Sequence, residues 1–218
     1  MAKAPLVPVQ LHAVVGADHD TSLPGSDLQL LAFRDVAAVV RPLADASPPM
    51  REALLAPGEL AAHRRTVEAL HRQGAVLPVP AGTAARDRST ILRWLEVHHV
   101  ALCEALTFVD GRCGARVHVT RATVAASSSG SLDVPPLELE GVATELFRSL
   151  RRHAVASTNI RQAGSEADRA TAAFLVESER WGLFAEAVAV ESRRHSGVHV
   201  DLSGPWPPYD FVKMQFGG

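Results

Sequence analysis

In the second half of the chain, segments with strand-like and helix-like spacing of apolar residues follow one another in an order that few folds can accommodate. Strand-like alternation of apolar and polar residues begins and ends this half, at "RVHVT" and "VHVDL", and helical spacing occurs twice between them. The predicted elements follow the order β-α-β-β-α-β, over residues 116–120, 137–153, 157–162, 170–176, 178–194 and 198–202. This order predicts the split βαβ, or ferredoxin-like, arrangement.

The segment "ATAAFLV" at residues 170–176 agrees with this arrangement, because it is apolar on both sides. The first and third strands of a ferredoxin-like sheet are central, and this segment is the third strand. The face of the sheet opposite the helices needs a cover, and we expect the N-terminal half of the chain or a partner to provide it. A flexible connection is predicted at residues 127–136, "SSSGSLDVPP".

The first half of the chain predicts a separate domain of mixed α and β structure. Its predicted strands and extended segments lie at 9–15, 28–33, 36–40 and 75–83, and its helices at 59–73 and from Asp87 or Ser89 to about Thr107. A strong turn follows at residues 110–114, "DGRCG". We therefore predict the α+β class, with an N-terminal α+β domain at 1–110, a ferredoxin-like domain at 111–203 and an extended tail at 204–218.

Composition and charge are those of an ordinary globular protein. Hydrophobic residues make up 47% of the 218 residues and charged residues 21%, and 22 basic against 24 acidic side chains give a net charge of −2. This balance gives no reason to expect a nucleic-acid or membrane-surface partner. Two cysteines, Cys103 and Cys113, build neither a disulfide framework nor a zinc motif, so we expect a cytoplasmic protein. We find no apolar run near the roughly 18 residues that span a bilayer.

The motifs of the common enzyme classes are absent from the sequence. It contains no G-x-G-x-x-G, G-x-x-x-x-G-K-[ST], H-E-x-x-H or G-x-S-x-G motif. The sequence therefore lacks the motifs that usually cradle phosphate, bind a hydrolytic zinc ion or carry the nucleophile of a serine hydrolase. We predict no catalytic residue, no cofactor and a non-enzymatic protein.

One pair of side chains has the spacing of metal ligands. His99 and Cys103 are four residues apart on a predicted helix, with Glu104 adjacent, and so share one face. A metal site needs three or four converging ligands, and no neighbour in the sequence completes this set. His63 and His71 lie two turns apart on the earlier helix, and no neighbour in the sequence completes a ligand set for them either. We predict no metal site.

Basic residues lie late in both helices of the second half, at 151–153 and 193–195. Cations there complement the helix dipole and are usually solvated. RNA-recognition domains share the β-α-β-β-α-β order, but they stack bases on aromatic side chains of their central strands. The two predicted central strands offer one aromatic residue, Phe174. We therefore predict no nucleic-acid binding.

The chain closes on the segment "GPWPPYDFV", residues 204–212, which concentrates rigid and apolar side chains. Proline restricts φ and lacks an amide donor, so an extended polyproline conformation is expected, without regular sheet hydrogen bonds across the prolines. We predict that this segment makes a fixed contact, either by docking on its own domains or by recognising another protein, and the two are compatible. Its predicted contact residues are Gly204, Pro205, Trp206, Pro207, Pro208, Tyr209, Phe211 and Val212.

These residues resemble a known family. "GPWPPYDFV" is similar to the C-terminal signature of the GvpL/GvpF gas vesicle proteins, and "LAAHRRTVEAL" followed by "AVLPVPAGT" resembles a helix and strand of that family. "LHAVVGA" and "DVAAVVRPL" occupy the places of its early strands. Departures occur at Pro80 and Ala81, before the family's G-T pair, and at Leu11 and His12, where the family often has tyrosines.

The resemblance implies two α+β domains, the second a modified ferredoxin-like fold, with the extended tail packed back on them. It also implies a non-enzymatic accessory or minor structural protein of gas vesicles that assists assembly. The implied partners are the hydrophobic shell protein and other gas vesicle accessory proteins, and the implied location is the cytoplasm and the gas vesicle. The alternative is a ligand-sensing or enzymatic α+β module with a pocket between the two domains.

Overall fold

The structure is a computed structural model that describes residues 7–20, 27–44, 47–122, 139–160, 169–195 and 197–212. The chain divides into two units. Unit 1 comprises Met1–Gly111 together with Pro207–Gly218, and unit 2 comprises Arg112–Trp206. The C-terminal segment therefore returns to the unit in which the chain begins.

Unit 1 is an antiparallel sheet with a helix packed on each face. Its strands are β1 (Val9–Gly16), β2 (Gln29–Phe33), β3 (Val36–Pro42), β4 (Val76–Pro78) and β5 (Ala84–Ala85), and its helices are α1 (Pro48–Ala53), α2 (Pro57–His71) and α3 (Arg88–Val109). The strand order is β2-β3-β1-β4, and the short β5 pairs with β1. The predicted hairpin is confirmed, because β2 and β3 pair on either side of Arg34 and Asp35.

The central strands β1 and β3 are almost continuously apolar, which suits burial on both faces of the sheet. Side chains on one face pack against α3: Val9, Leu11, Val14, Val36, Ala38 and Val40 meet Ile91, Leu95 and Leu102. Side chains on the other face pack against α2: Ala13, Val15, Ala37 and Val39 meet Val67 and Leu70. The apolar runs thus explain the layered core of this unit.

A β-bulge in β1 places two consecutive side chains on the α2 side of the sheet. Leu11 pairs with Val40 and Ala13 pairs with Val39, so His12 is an extra residue in the ladder. The bulge allows His12 and the following Ala13 to lie on the same side of the sheet. The His12 ring stacks on His63 of α2, with the ring centroids 5.0 Å apart.

Asp87 caps the N-terminus of α3. Its carboxylate accepts hydrogen bonds from the Thr90 amide at 2.8 Å and from the Ser89 hydroxyl at 2.7 Å. Of the two caps that the sequence allowed, the structure therefore selects Asp87. The helix ends at Val109, and Gly111, with a φ of 65°, forms the turn into the next strand.

Unit 2 is a four-stranded antiparallel sheet with helices α4 (Leu139–Leu150) and α5 (Trp181–Arg194). Its strands are β6 (Arg112–Arg121), β7 (Ala156–Asn159), β8 (Arg169–Glu177) and β9 (Val198–Trp206), in the order β7-β8-β6-β9. One 3₁₀ turn follows α4 at residues 151–153, and another precedes α5 at 178–180. The α+β class predicted from the sequence is confirmed.

The core of unit 2 lies between this sheet and both of its helices. Phe174 of β8 is fully buried, and its ring centroid lies 5.3 Å from that of Phe184 on α5 and 6.2 Å from that of Phe147 on α4. The alternate residues Ala173 and Leu175 are also fully buried. Burial on both sides matches the two-sided apolarity of this segment and its central position in the sheet.

The last strand continues past the predicted start of the tail. The sequence placed that boundary at Gly204, but β9 runs to Trp206, which pairs with Gly114. The register shifts here, because Ser203 pairs with Arg116 and two residues of β9 lie opposite one of β6. This irregularity accommodates Pro205, which lacks an amide proton for a regular ladder.

Gly204 is required at this irregularity. Its φ is 135°, and an added Cβ would lie 2.7 Å from the Trp181 ring and 2.8 Å from the carbonyl oxygen of Gly114.

The predicted connection at 127–136 and the tail beyond Val212 lie outside the described residues. Among the helices that are described, none has the length and apolarity of a membrane span.

Candidate functional site

The predicted contact residues of the C-terminal motif are divided between the two units. Residues 204–206 are the end of β9 in unit 2, whereas residues 207–212 belong to unit 1. Trp206 is half-buried, and its indole N–H lies 3.4 Å from the Ser203 hydroxyl. The motif is thus the stretch in which the chain passes from one unit to the other.

Residues 207–212 form a compact turn in unit 1. The Tyr209 amide donates to the carbonyl of Pro207 at 2.7 Å, and the Phe211 amide donates to that of Pro208 at 3.0 Å. Tyr209 packs on the cluster on the α2 side of the sheet, and Val212 packs on the cluster on the α3 side. The polyproline conformation expected from the sequence, with three residues per turn, would place Tyr209 and Val212 on one side. Residues 207–212 form a turn instead, and these two side chains pack on different clusters.

A groove of about 370 Å³ lies on the helical layer of unit 2. It is bordered by the end of α4, the 3₁₀ turn that follows and the outer face of α5. Its apolar lining comes from Leu150, Leu183, Ala187 and Val190. Leu183 is 56% exposed and Val190 47% exposed, so the groove presents large apolar side chains to its surroundings. Their spacing of one helical turn or two along α5 makes this lining continuous.

Polar groups border the groove and hold its two helices together. Ser149, Arg152 and Glu191 also line an adjoining groove of about 300 Å³. The carboxylate of Glu191 is buried and accepts a hydrogen bond of 2.5 Å from the Ser149 hydroxyl. His195 and Arg194 lie 3.6 and 3.8 Å from this carboxylate. The basic residues late in these helices therefore contribute to a charged rim around an apolar floor.

A second set of exposed apolar side chains lies on α3 of unit 1. Val97 is 72% exposed and Val100 is 68% exposed, and Phe108 lies further along the helix. Val97 and Val100 are three residues apart and therefore share one exposed face of the helix. This exposed α3 surface therefore serves as the control surface when binding to the groove is tested.

A buried polar cluster lies beneath α2 in unit 1. Burial and, to a smaller extent, the neighbouring His63 and Arg41 together lower the pKa of His12 to about 3. The pKa of His63 is also lowered by burial, although a ring nitrogen lies 3.0 Å from the Val79 carbonyl oxygen. Arg41 donates to Glu59 at 2.6 Å. The sequence analysis singled out His63 and His71 on this helix but not His12, because the contact between His12 and His63 is a tertiary feature.

The hairpin turn of unit 1 brings a carboxylate to His99 and Cys103. The Nε2 atom of His99 lies 3.6 Å from the Cys103 Sγ and 3.5 Å from Oδ2 of Asp35. The three ligand atoms all lie within 4.8 Å of one another. The sequence suggested Glu104 as the nearest addition to this pair, whereas the fold supplies Asp35.

Comparison with known sequences agrees with the resemblance. The profile of the family described as Gas vesicle synthesis protein GvpL/GvpF matches residues 1–129 and 138–213. Gas vesicle protein L of Streptomyces sp. (strain CB03234) is 29% identical over 181 residues, which cover 69% of this chain and 67% of that protein.

Comparison with solved structures supports the same fold. The crystal structure of the gas vesicle protein GvpF from Anabaena sp. PCC7120 matches with a TM-score of 0.71 at 15% identity, over 97% of this chain and 98% of that one. GvpF from Microcystis aeruginosa also matches with a TM-score of 0.71, at 12% identity, over 95% of this chain and 100% of that one. The family profile covers most of the sequence, and the chain therefore belongs to the GvpL/GvpF family of gas vesicle proteins.

Proposed function

We propose that this protein is a non-enzymatic accessory protein that assists gas vesicle assembly by binding the hydrophobic shell protein. Family membership supports a role in gas vesicles. The observation that carries the binding proposal is the apolar groove beside α5 in unit 2. Other gas vesicle accessory proteins are further proposed partners, and the cytoplasm and the gas vesicle are the proposed locations.

The groove has the chemistry that this partner requires. A subunit that presents an apolar face to gas exposes that face before the wall assembles, and an exposed apolar face of that kind aggregates. Leu183 and Val190 offer apolar contact area, and the polar rim around them limits contact to a defined patch. We infer that apolar side chains of one shell subunit insert into this groove.

The proposed role of the C-terminal motif is internal. Tyr209 and Val212 pack on core clusters of unit 1, which supports self-docking for the later residues of the motif. Gly204, Pro205 and Trp206 complete the sheet of unit 2. We also propose that unit 2 is a modified ferredoxin-like domain, a proposal supported by its β-α-β-β-α-β order and its central β6 and β8.

Co-purification tests whether the groove binds the shell protein. The protein is co-expressed with the shell subunit, and the Val190→Asp variant is compared with Val97→Asp, the same change on the exposed face of α3. We expect Val190→Asp to lose most of the captured shell protein, because a carboxylate in an apolar contact is desolvated without a partner. Val97→Asp should retain it, and circular dichroism should show both variants folded.

Three results would contradict the proposal. Equal capture by Val190→Asp and the unmodified chain would remove the groove as the binding surface. Loss of capture in Val97→Asp alone would transfer the contact to α3. Normal vesicle formation in cells that lack the protein, together with no association, would reject the assembly role itself.

A further inference from the structure

We propose that Asp35, His99 and Cys103 form a Zn²⁺-binding site in unit 1. The proposal goes beyond the gas vesicle role and does not depend on it. It rests on three side chains from two elements, the β2–β3 turn and α3, whose ligand atoms converge.

The two separations from His99 Nε2 are those of a tetrahedral zinc site. Zinc bonds of about 2.0–2.1 Å to nitrogen, about 2.0–2.2 Å to oxygen and about 2.3 Å to sulfur place ligand nitrogen and sulfur about 3.6 Å apart, and nitrogen and oxygen about 3.4 Å apart. In the structure, His99 Nε2 lies 3.6 Å from Cys103 Sγ and 3.5 Å from Asp35 Oδ2. The third separation, between Cys103 Sγ and the Asp35 carboxylate, is within 4.8 Å.

This arrangement differs from a nucleophilic triad in how the other two groups meet the His99 ring. In a Cys-His-Asp triad, the thiol meets one nitrogen of the imidazole and the carboxylate meets the other. Here the same Nε2 atom of His99 faces both groups. Convergence on a single lone pair is the geometry of metal coordination, in which the ion occupies the shared point.

The surroundings of His99 hold the ring in place and leave a route for the ion. The Phe33 ring meets the imidazole edge-on, with the centroids 5.8 Å apart. The His99 side chain is 16% exposed and that of Asp35 84% exposed, so the site opens to solvent on its carboxylate side. Thiolate, imidazole and carboxylate together suit zinc better than magnesium or calcium, which prefer oxygen. Three protein ligands leave one position for water.

The bound ion would connect the hairpin turn to α3. Asp35 lies between β2 and β3, and His99 and Cys103 are one turn apart on the helix that packs against these strands. Because an ion that binds only the folded state stabilises that state, Zn²⁺ should raise the melting temperature of the protein.

Metal titration of the reduced, chelator-treated full chain tests the proposal. Zn²⁺ binding is measured by calorimetry, and Co²⁺ is used as a spectroscopic substitute whose thiolate bond absorbs in the near ultraviolet. We expect one ion per chain and a thiolate band. Cys103→Ser should abolish that band, and His99→Gln and Asp35→Asn should weaken Zn²⁺ binding by about tenfold or more, since even outer-shell changes cost that much.

Three matched controls separate this site from other metal binding. His98→Gln changes the neighbouring exposed histidine, Cys113→Ala removes the second cysteine, and Glu104→Gln removes the carboxylate adjacent to Cys103. All three should keep the band and the affinity for Zn²⁺. Absence of binding at micromolar Zn²⁺, or a thiolate band that survives Cys103→Ser, would overturn the proposal.

Discussion

Tyr209 places a hydroxyl group in a predominantly apolar contact. Its ring packs on the cluster that includes Val67 and Leu70, and its hydroxyl is buried without a hydrogen-bond partner among the described residues. Burial, with the charge of Glu68, raises the pKa of Tyr209 to about 12. The sequence predicted a stiff, docked segment, but the packing alone identifies Tyr209 as the side chain on this cluster.

At the scale of this residue, removal of the hydroxyl should not weaken the fold. We expect Tyr209→Phe to leave the free energy of unfolding unchanged or to raise it by up to about 1 kcal/mol, because a buried donor without a partner opposes folding. Tyr209→Ala should lower it by about 2 kcal/mol through lost apolar contact. Urea unfolding measures both variants, and a larger loss in Tyr209→Phe than in Tyr209→Ala would contradict this account.

Helix α3 shows how local sequence determines one end of an element. Asp87 and Ser89 are both common capping residues, and the structure uses the Asp87 carboxylate. The hydrogen bond from Ser89 and then that from the Thr90 amide lower the pKa of Asp87 to about 2. The sequence could not choose between the two caps, because the choice depends on the extended backbone that leads into the helix.

At the scale of helix α3, loss of the Asp87 cap should lower the free energy of unfolding. Asp87→Ala should lower the free energy of unfolding by about 0.5–2 kcal/mol, and Ser89→Ala by less, because Ser89 only supports the carboxylate. The folded pKa is depressed, so the contribution of Asp87 is present above pH 3.8 and is lost as the pH falls towards 2. Guanidinium unfolding of the two variants at neutral pH tests the ranking, and an equal or larger loss in Ser89→Ala would reverse the assignment.

Several histidines of unit 1 give the whole molecule an acid-sensitive core. Burial lowers the pKa values of His12, His19, His63 and His71 below the ordinary 6.5, that of His12 to about 3. The unfolded chain therefore binds more protons than the folded chain in acid. The stability associated with neutral imidazoles is present above pH 6.5 and is lost as the pH falls below it.

At the scale of the molecule, we expect the free energy of unfolding to be lower at pH 5 than at pH 7.5. Urea unfolding at both pH values measures the difference. His12→Gln should reduce this pH dependence, because it removes a group whose pKa is lowered to about 3 in the folded chain. Equal stability at pH 7.5 and pH 5 would contradict the expectation.

The sequence by itself determined the class, the order of elements in the second half, the β2–β3 hairpin, the two-sided burial of residues 170–176 and the family. These features follow from hydrophobic period and local motifs, which neighbouring residues encode. The sequence did not predict the short helix α1. The tertiary structure decided the stacking of His12 on His63, the passage of the C-terminal motif from β9 into unit 1, and the meeting of Asp35 with the pair on α3. Each of these depends on strand register and on packing between distant segments, and no local pattern specifies either.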